Sequence, residues 1–162
     1  MLVKFDVVLS KLEKLEWGLS ISGISGIILL NTINLFLRWF VGFSLPWILE
    51  VSLLLFIWST LLCVPALYKN KELIQMQFLE EILDKSKRRY VNFILEIIIL
   101  AFLIYLLFYS LKFSVGQVYF FSRGLGIPRI YVTISLPVAT FLTILVSINN
   151  IIHQVKDILQ KR

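Results

Sequence analysis

A chain of 162 residues that is 59% hydrophobic and 16% charged has more apolar surface than one soluble core of this size can bury. Its mean hydropathy of +0.88 favours lipid as the solvent. The net charge of +6 does not indicate nucleic-acid binding, because the basic residues lie between long apolar segments and form no soluble footprint. We therefore predict an all-α integral membrane protein that forms a single membrane domain over residues 1–162, with four transmembrane helices and short amphipathic surface helices.

The first 16 residues have the pattern of a short amphipathic helix. Their apolar residues recur at helical spacing, and their lysines lie mostly on the other face. We expect this segment to lie on the membrane surface. The alternative is a solvated helix that extends the first membrane span. The apolar residues are Phe5, Val8, Leu9, Leu12 and Leu15.

Four apolar segments are each long enough to cross a hydrocarbon layer of about 30 Å once. They span residues 17–41, 47–68, 91–111 and 130–152. Tryptophan and tyrosine occur at their ends, as is typical of residues at membrane interfaces. Pro65 and Pro137 lie inside the second and fourth spans, where we expect them to kink or locally open the helix.

The connections between the spans differ in charge. Twelve of the 16 lysines and arginines lie in the N-terminal segment, the loop 69–90 and the C-terminal tail, which share one side if there are four crossings. The positive-inside rule then predicts that both termini and this loop are cytoplasmic. Lys87, Arg88 and Arg89 directly precede the third span and are candidates for contact with anionic lipid headgroups. Most clusters of this kind serve only as topology anchors.

The opposite side has few charges and a loop that is rich in turn residues. Gly126 and Pro128 indicate turns in the loop before the fourth span, because glycine permits positive φ and proline fixes φ.

Three ionisable residues lie at membrane depth, where such groups are costly. Arg38, near the outer end of the first span, and Glu50, near the start of the second, should lie at similar depth. We predict that they pair, either with each other or with a partner subunit. The alternative is that each extends to the headgroups unpaired. Glu96 should be shallow in the third span, on the cytoplasmic side.

The sequence contains no motif for catalysis, phosphate binding or metal binding. Cys63 and His153 are each the only residue of their type, so a thiol oxidase with paired cysteines is excluded. We expect no enzyme activity and no cofactor. A self-sufficient four-helix transporter that acts as a homodimer remains an alternative, although it should have a carboxylate near the bilayer centre. A structural membrane protein with an unrelated partner is a further alternative.

Several short motifs follow one another between residues 15 and 150. Residues 34–38 read N-L-F-L-R, S-L-P-W at 44–47 precedes Glu50, and 55–58 read L-F-I-W. L-G-I-P follows at 125–128 and Leu-Pro at 136–137. In order, spacing and topology these motifs resemble the small transmembrane subunit of tripartite ATP-independent periplasmic (TRAP) transporters. Leu49, Leu73 and Gln77 stand where that family often has an acid, a histidine and an aspartate.

The resemblance implies a subunit of the bacterial inner membrane and not a complete transporter. In such systems a larger transmembrane subunit moves sodium and substrate, and a periplasmic protein binds the substrate. The substrate is typically an organic acid such as sialic acid or a C4-dicarboxylate. The small subunit would act as a scaffold for the large one. By this resemblance, the residues that contact the large subunit or the lipid beside it are Asn34, Arg38, Trp47, Glu50 and Trp58.

Overall fold

The computed structural model describes residues 2–43, 45–70, 85–122 and 124–160. These ranges contain five helices: α1 (Leu2–Phe40), α2 (Trp47–Lys69), α3 (Lys85–Gly116), α4 (Ile130–Thr133) and α5 (Ser135–Gln160). Four stretches of the described chain are long and apolar enough to cross a membrane, which confirms the all-α membrane fold. They are Val7–Phe40, Trp47–Lys69, Val91–Gly116 and Ile130–Lys156.

The N-terminal amphipathic segment and the first span form one helix, because α1 continues for 39 residues without a break. The boundary predicted at residue 16 is therefore not seen. Leu9 is buried in a cluster with Tyr68 and Val146, and Glu13 forms an ion pair with Lys69 at 2.7 Å. Part of the apolar face thus packs against neighbouring helices. The position of the segment at a membrane surface stays a prediction.

The third membrane helix is longer than the predicted span at both ends. α3 begins at Lys85, before the expected start at residue 91, and ends at Gly116, beyond residue 111. The backbone of 87–89 is therefore helical and does not belong to the connecting loop. The side chains of Lys87, Arg88 and Arg89, and residues 71–84 of the predicted loop, lie outside the described part of the structure.

The two prolines within the spans differ in their effects. α2 continues through Pro65 to Lys69 without interruption. At the fourth span, by contrast, the helix is interrupted at Ile134, between α4 and α5, and Pro137 lies in the first turn of α5. Backbone hydrogen bonds continue across the interruption, from Ile134 N to the Ile130 oxygen and from Val138 N to the Ile134 oxygen. The fourth span therefore remains one continuous helical segment with a local irregularity at Ile134.

The four long helices lie side by side in an open row. α1 packs against α2, α2 against α5, and α5 against α3, so the spatial order differs from the chain order. In the apolar stretches, 44% of the residues of α4 and α5 are buried, compared with 6% in α1 and 11% in α3. α5 is therefore interior to the row, and α1 and α3 are its outer edges.

Small and polar residues join α1 to α2. The Ser20 hydroxyl donates to the Ser59 carbonyl at 2.8 Å, and the Asn31 amide donates to the Ser52 hydroxyl at 2.9 Å. Gly23 lies so close to Ser59 that an added Cβ would overlap the Ser59 hydroxyl. Such close approach and interhelical hydrogen bonding are typical of membrane helices, where lipid offers no hydrophobic drive for association.

The end of the row that contains the N-terminal part of α1 also contains a buried carboxylate. Glu96 on α3 is 1% exposed and accepts a hydrogen bond of 2.7 Å from the Tyr68 hydroxyl on α2. The sequence suggested a group that is shallow in the span. The structure adds that it is buried inside the protein and bonded across the row.

Candidate functional site

Several of the motif residues meet at one end of the row, which we call the loop end. It consists of the connections 41–46 and 117–129 and the helix turns next to them. The first connection begins at Gly42, whose φ of +69° is readily available only to glycine. The Asn34 side-chain oxygen then accepts a hydrogen bond of 3.1 Å from the Leu45 backbone N–H. Asn34 thus fixes the connection alongside the last turns of α1.

The second connection folds back on itself as a tight hairpin. Arg129 N donates to the Phe120 oxygen at 2.8 Å, and Ser122 N donates to the Ile127 oxygen at 2.9 Å. Pro128 and Phe121 face each other as an antiparallel β-bridge. The hydrogen bonds of the hairpin come from the neighbouring residues, so the missing N–H of Pro128 is not needed. Gly126 has a φ of +66°, so the L-G-I-P motif supplies glycine where the turn needs a left-handed residue.

Glu50 binds this hairpin from α2. One carboxylate oxygen accepts from the Gly124 N–H at 2.7 Å. The other accepts from the Ser122 hydroxyl at 2.6 Å and from the Leu125 N–H at 2.8 Å. These donors replace water around a charge that is only half-exposed, and hydrogen bonds to a charged acceptor are stronger than neutral ones. We call this arrangement the Glu50 clasp: the Glu50 carboxylate and its donors on Ser122, Gly124 and Leu125.

Gly124 is required for the clasp on steric grounds. A Cβ at this position would lie 2.9 Å from the Glu50 carboxyl carbon and about as close to both carboxylate oxygens. Any larger residue would therefore separate the hairpin from the carboxylate. The sequence indicates the glycines of this loop only as turn residues. The contact between Gly124 and Glu50 joins residues far apart in the chain, and no local pattern indicates it.

The described partners of Glu50 are in the hairpin and do not include Arg38. Arg38 is exposed on the last turn of α1. Among the residues with described side chains, one ion pair is seen. It joins Lys69 to Glu13 at the opposite end of the row. Mutual pairing of Arg38 and Glu50 is therefore not what the structure shows. Pairing of Arg38 with a partner subunit stays a prediction.

A second set of contacts lies beside the clasp, between α2, α3 and the start of the fourth span. The Trp58 indole N–H on α2 donates to the Tyr131 carbonyl at 2.8 Å. Pro137 has no N–H to donate to the Thr133 carbonyl four residues earlier. That carbonyl instead accepts from the Ser114 hydroxyl on α3 at 2.9 Å. The proline thus leaves the Thr133 carbonyl free to accept this hydrogen bond, which joins α3 to α4.

Several motif residues therefore make contacts within this chain. Asn34, Glu50 and Trp58, which the resemblance implied as contacts to a partner or to lipid, make hydrogen bonds to the chain's own loops and helix ends. Arg38 and Trp47 differ, because both are exposed at the loop end. Trp47 begins α2 and has 38% of its surface exposed. These two remain available to a partner.

A small cavity of about 210 Å³ lies between α2 and the hairpin. Its walls are mostly aliphatic, and the Glu50 carboxylate at its edge is already bonded to the hairpin. Among the described residues, no group of three or more histidine, cysteine, aspartate or glutamate side chains could hold a metal ion. The arrangement can hold a loop in place, because the Glu50 carboxylate that accepts from the Ser122 hydroxyl also accepts from two backbone N–H groups of the hairpin.

Comparison with known families agrees with this geometry. A protein-family profile described as tripartite ATP-independent periplasmic transporters, DctQ component, matches residues 27–157. The matched range contains the Asn34, Glu50, Trp58 and L-G-I-P contacts of the loop end. A search of curated proteins finds no match.

The family assignment has direct consequences. This component is part of a transporter and is not an enzyme, and it works with a large membrane subunit and a substrate-binding protein. Four apolar helices in such a family indicate a multi-pass protein of the inner membrane. With more than half of its length matched, the chain belongs to the family of small membrane subunits of TRAP transporters, the DctQ component.

Proposed function

We propose that this chain is the scaffold subunit of a sodium-driven importer that depends on a periplasmic binding protein. The large transmembrane subunit carries the substrate, an organic acid such as sialic acid or a C4-dicarboxylate. This chain braces the fixed part of that subunit in the membrane and does not contact the substrate.

The observation that carries the proposal is the open row of helices. Since α1 and α3 are at opposite edges, the row has broad apolar faces, and among the described residues it encloses no centre that could hold a polar solute. A protein that translocates a charged acid needs polar groups that line a path near the midplane. A wide row fixed by internal hydrogen bonds is better suited to supporting a neighbour.

The stiffness of the row supports the same function. The Glu50 clasp, the Asn34 contact and the Trp58 contact fix the loop end, while the Glu13–Lys69 ion pair and the Tyr68–Glu96 bond fix the opposite end. In lipid, such hydrogen bonds contribute about 0.6 kcal/mol each on average. Contacts at both ends of packed helices restrict sliding and splaying, which a scaffold requires.

Charge supports one orientation of the row. Both termini and the loop 69–90 face the cytoplasm, where lysines and arginines are favoured, and the loop end faces the periplasm. Lys87, Arg88 and Arg89 then lie near anionic headgroups of the inner leaflet. Arg38 and Trp47 lie on the periplasmic side, where they contact the large subunit or lipid beside it.

Purification from native membranes tests the assignment. The tagged chain is extracted in a mild detergent or a membrane-active polymer, and its partners are identified by mass spectrometry. We expect a large membrane protein with many spans at a one-to-one ratio. Recovery of only a homodimer of this chain would contradict the proposal and favour the self-sufficient transporter.

A further inference from the structure

The cavity beside the Glu50 clasp extends from the membrane surface toward the hydrocarbon. Arg129 lines it at the surface, because this residue directly precedes Ile130, where the fourth apolar stretch begins. Leu54 lines it at greater depth, about 10 Å along α2 from the start of the apolar stretch at Trp47. The cavity therefore crosses the level at which a phospholipid changes from headgroup to acyl chain.

The deeper walls of the cavity are suited to an acyl chain. Its volume is about 210 Å³, and an apolar cavity of about 150 Å³ is already large enough to bind benzene. Water is a poor occupant, because a buried water needs about two to four polar partners and these walls are mostly aliphatic. An acyl chain needs no polar partner and gains dispersion contacts with such walls. The aliphatic lining residues include Leu53, Leu54, Leu125, Ile127 and Val132.

The surface end of the cavity carries a positive charge. Arg129 is exposed, and its backbone is fixed by the hydrogen bond of 2.8 Å from its N–H to the Phe120 oxygen. Glu50 lines the same cavity, but its carboxylate accepts from donors of the hairpin. Among the described side chains, the ion pair seen is that of Lys69 with Glu13, so no carboxylate in this set neutralises Arg129. A guanidinium presents a fork of N–H donors that matches a phosphate group.

Neighbouring residues mark this level as the membrane interface. Tyr131, close to Arg129 in sequence, is 57% exposed, and Trp47 at the start of α2 is 38% exposed. Both residue types are enriched where lipid headgroups meet lipid tails. Two other cations of the loop end, Arg38 and Lys112, are also exposed but do not line this cavity. Arg129 differs from them, because a phosphate bound to it has a cavity for its acyl chain directly below.

We propose that this cavity binds one phospholipid molecule, with its phosphate on the Arg129 guanidinium and one acyl chain between α2 and the hairpin. A phospholipid is the occupant because it joins an anion to an aliphatic chain, and the site joins a cation at headgroup depth to an aliphatic cavity below it. The bound lipid fills the space between the hairpin and α2, so it stabilises the loop end together with the Glu50 clasp. The proposal uses residues of this chain alone and does not depend on the proposed transport function.

Titration with one defined lipid tests the phosphate contact. The full chain is purified in detergent, freed of lipid and titrated with palmitoyl-oleoyl phosphatidylglycerol, and bound lipid is counted by native mass spectrometry. We expect Arg129→Gln to bind this lipid roughly tenfold more weakly than the wild type, since hydrogen bonds to charged groups are the strong ones. Lys112→Gln is the matched control and should bind it like the wild type. Equal affinities of the two variants overturn the proposal.

The acyl-chain part of the site has a separate test. Leu54→Phe places a larger side chain in the cavity and leaves Arg129 unchanged, so the phospholipid should bind more weakly. Leu49→Phe is the control, because Leu49 is exposed on the same helix and does not line the cavity. Diacylglycerol with the same two chains, which lacks the phosphate, should bind the wild type more weakly than the phospholipid does. Equal binding of the phospholipid by the two phenylalanine variants overturns the proposal, and so does equal binding of both lipids by the wild type.

Thermal unfolding measures whether the bound lipid stabilises the fold. A ligand that binds only the folded state raises the unfolding midpoint. We expect phosphatidylglycerol to raise the midpoint of the wild type and of Lys112→Gln, and to raise that of Arg129→Gln much less. If Arg129→Gln does not fold, Arg129→Lys takes its place: it keeps the charge and loses the guanidinium fork, so its shift should be intermediate. A shift of the same size in every variant indicates general solvation by lipid and overturns the proposal.

Discussion

Single residues at the loop end act through contacts that are distant in sequence. Glu50 is the clearest example, because its carboxylate binds backbone and hydroxyl donors of Ser122, Gly124 and Leu125. The sequence indicated only that an acid lies near the start of a span and requires a compensating group. A cation, Arg38, was the obvious candidate at matching depth. Backbone N–H groups of a turn satisfy a carboxylate equally well, and they leave no signal in the sequence.

Replacing the Glu50 carboxylate should weaken the loop end. In Glu50→Gln, the amide group turns a donor toward the Gly124 or Leu125 N–H, so at least one hydrogen bond is lost and one donor is left unsatisfied. We expect a loss of about 1–3 kcal/mol, seen as a lower midpoint of thermal unfolding in detergent. Arg38→Gln is the matched control and should have little effect on the isolated chain. Equal losses in the two variants would indicate mutual pairing of Arg38 and Glu50.

Gly124 offers an independent test of the clasp. Gly124→Ala places a methyl group 2.9 Å from the Glu50 carboxyl carbon, and the hairpin must move. The expected cost is about 1–3 kcal/mol, in the range for overpacked sites. Gly116→Ala is the control because an added Cβ there meets nothing within 4 Å. Thermal unfolding of both variants is compared, and equal stability would show that the clasp is not formed.

At the scale of helices, the apolar length of the segments predicted where the membrane spans are. It left open whether residues 1–16 form a separate surface helix or continue into α1, as they do, because amphipathic and apolar segments can form one helix or two with the same local pattern. The third span is predicted from residue 91 and its apolar stretch does begin there, whereas the helix that contains it starts earlier, at Lys85. Charged residues such as those at 85–90 interrupt a hydropathy pattern without interrupting a helix, since lysine and arginine are good helix formers.

The contact between α1 and α2 should depend on one small residue. Gly23→Val introduces a branched side chain where even a Cβ would overlap the Ser59 hydroxyl, so the two helices must separate. Gly18→Val on the same helix is the control, since a Cβ there meets nothing within 4 Å. We expect a much lower unfolding midpoint for the variant at 23 than for the control. Similar midpoints would mean that α1 and α2 do not pack at Gly23.

The orientation of the helices is open to a direct measurement. We expect a cysteine introduced at Lys156, near the C-terminus, to be protected from a membrane-impermeant thiol reagent added to intact cells, in a Cys63→Ser background. A cysteine at Tyr119 in the hairpin loop should be labelled under the same conditions. The reverse pattern would contradict the positive-inside prediction.

On the scale of the whole molecule, the order of the helices in the row decides what surface is presented to a partner. Sequence reasoning predicted four membrane helices but not their neighbours, since chain order gives no indication that α2 packs against α5. The order is set by contacts between distant residues, such as Trp58 with Tyr131 and Asn31 with Ser52. The family motifs are recognisable in sequence, whereas the hydrogen bonds that their residues make within the chain are visible only in three dimensions.

We propose that this chain supports transport without performing it. Uptake of labelled organic acid into liposomes, under an inward sodium gradient, measures whether this is so. We predict no uptake with this chain alone, and sodium-dependent, ATP-independent uptake when the large subunit and the binding protein are also present. Sodium-driven uptake by this chain alone would contradict the account, and so would full uptake by the other two components in its absence.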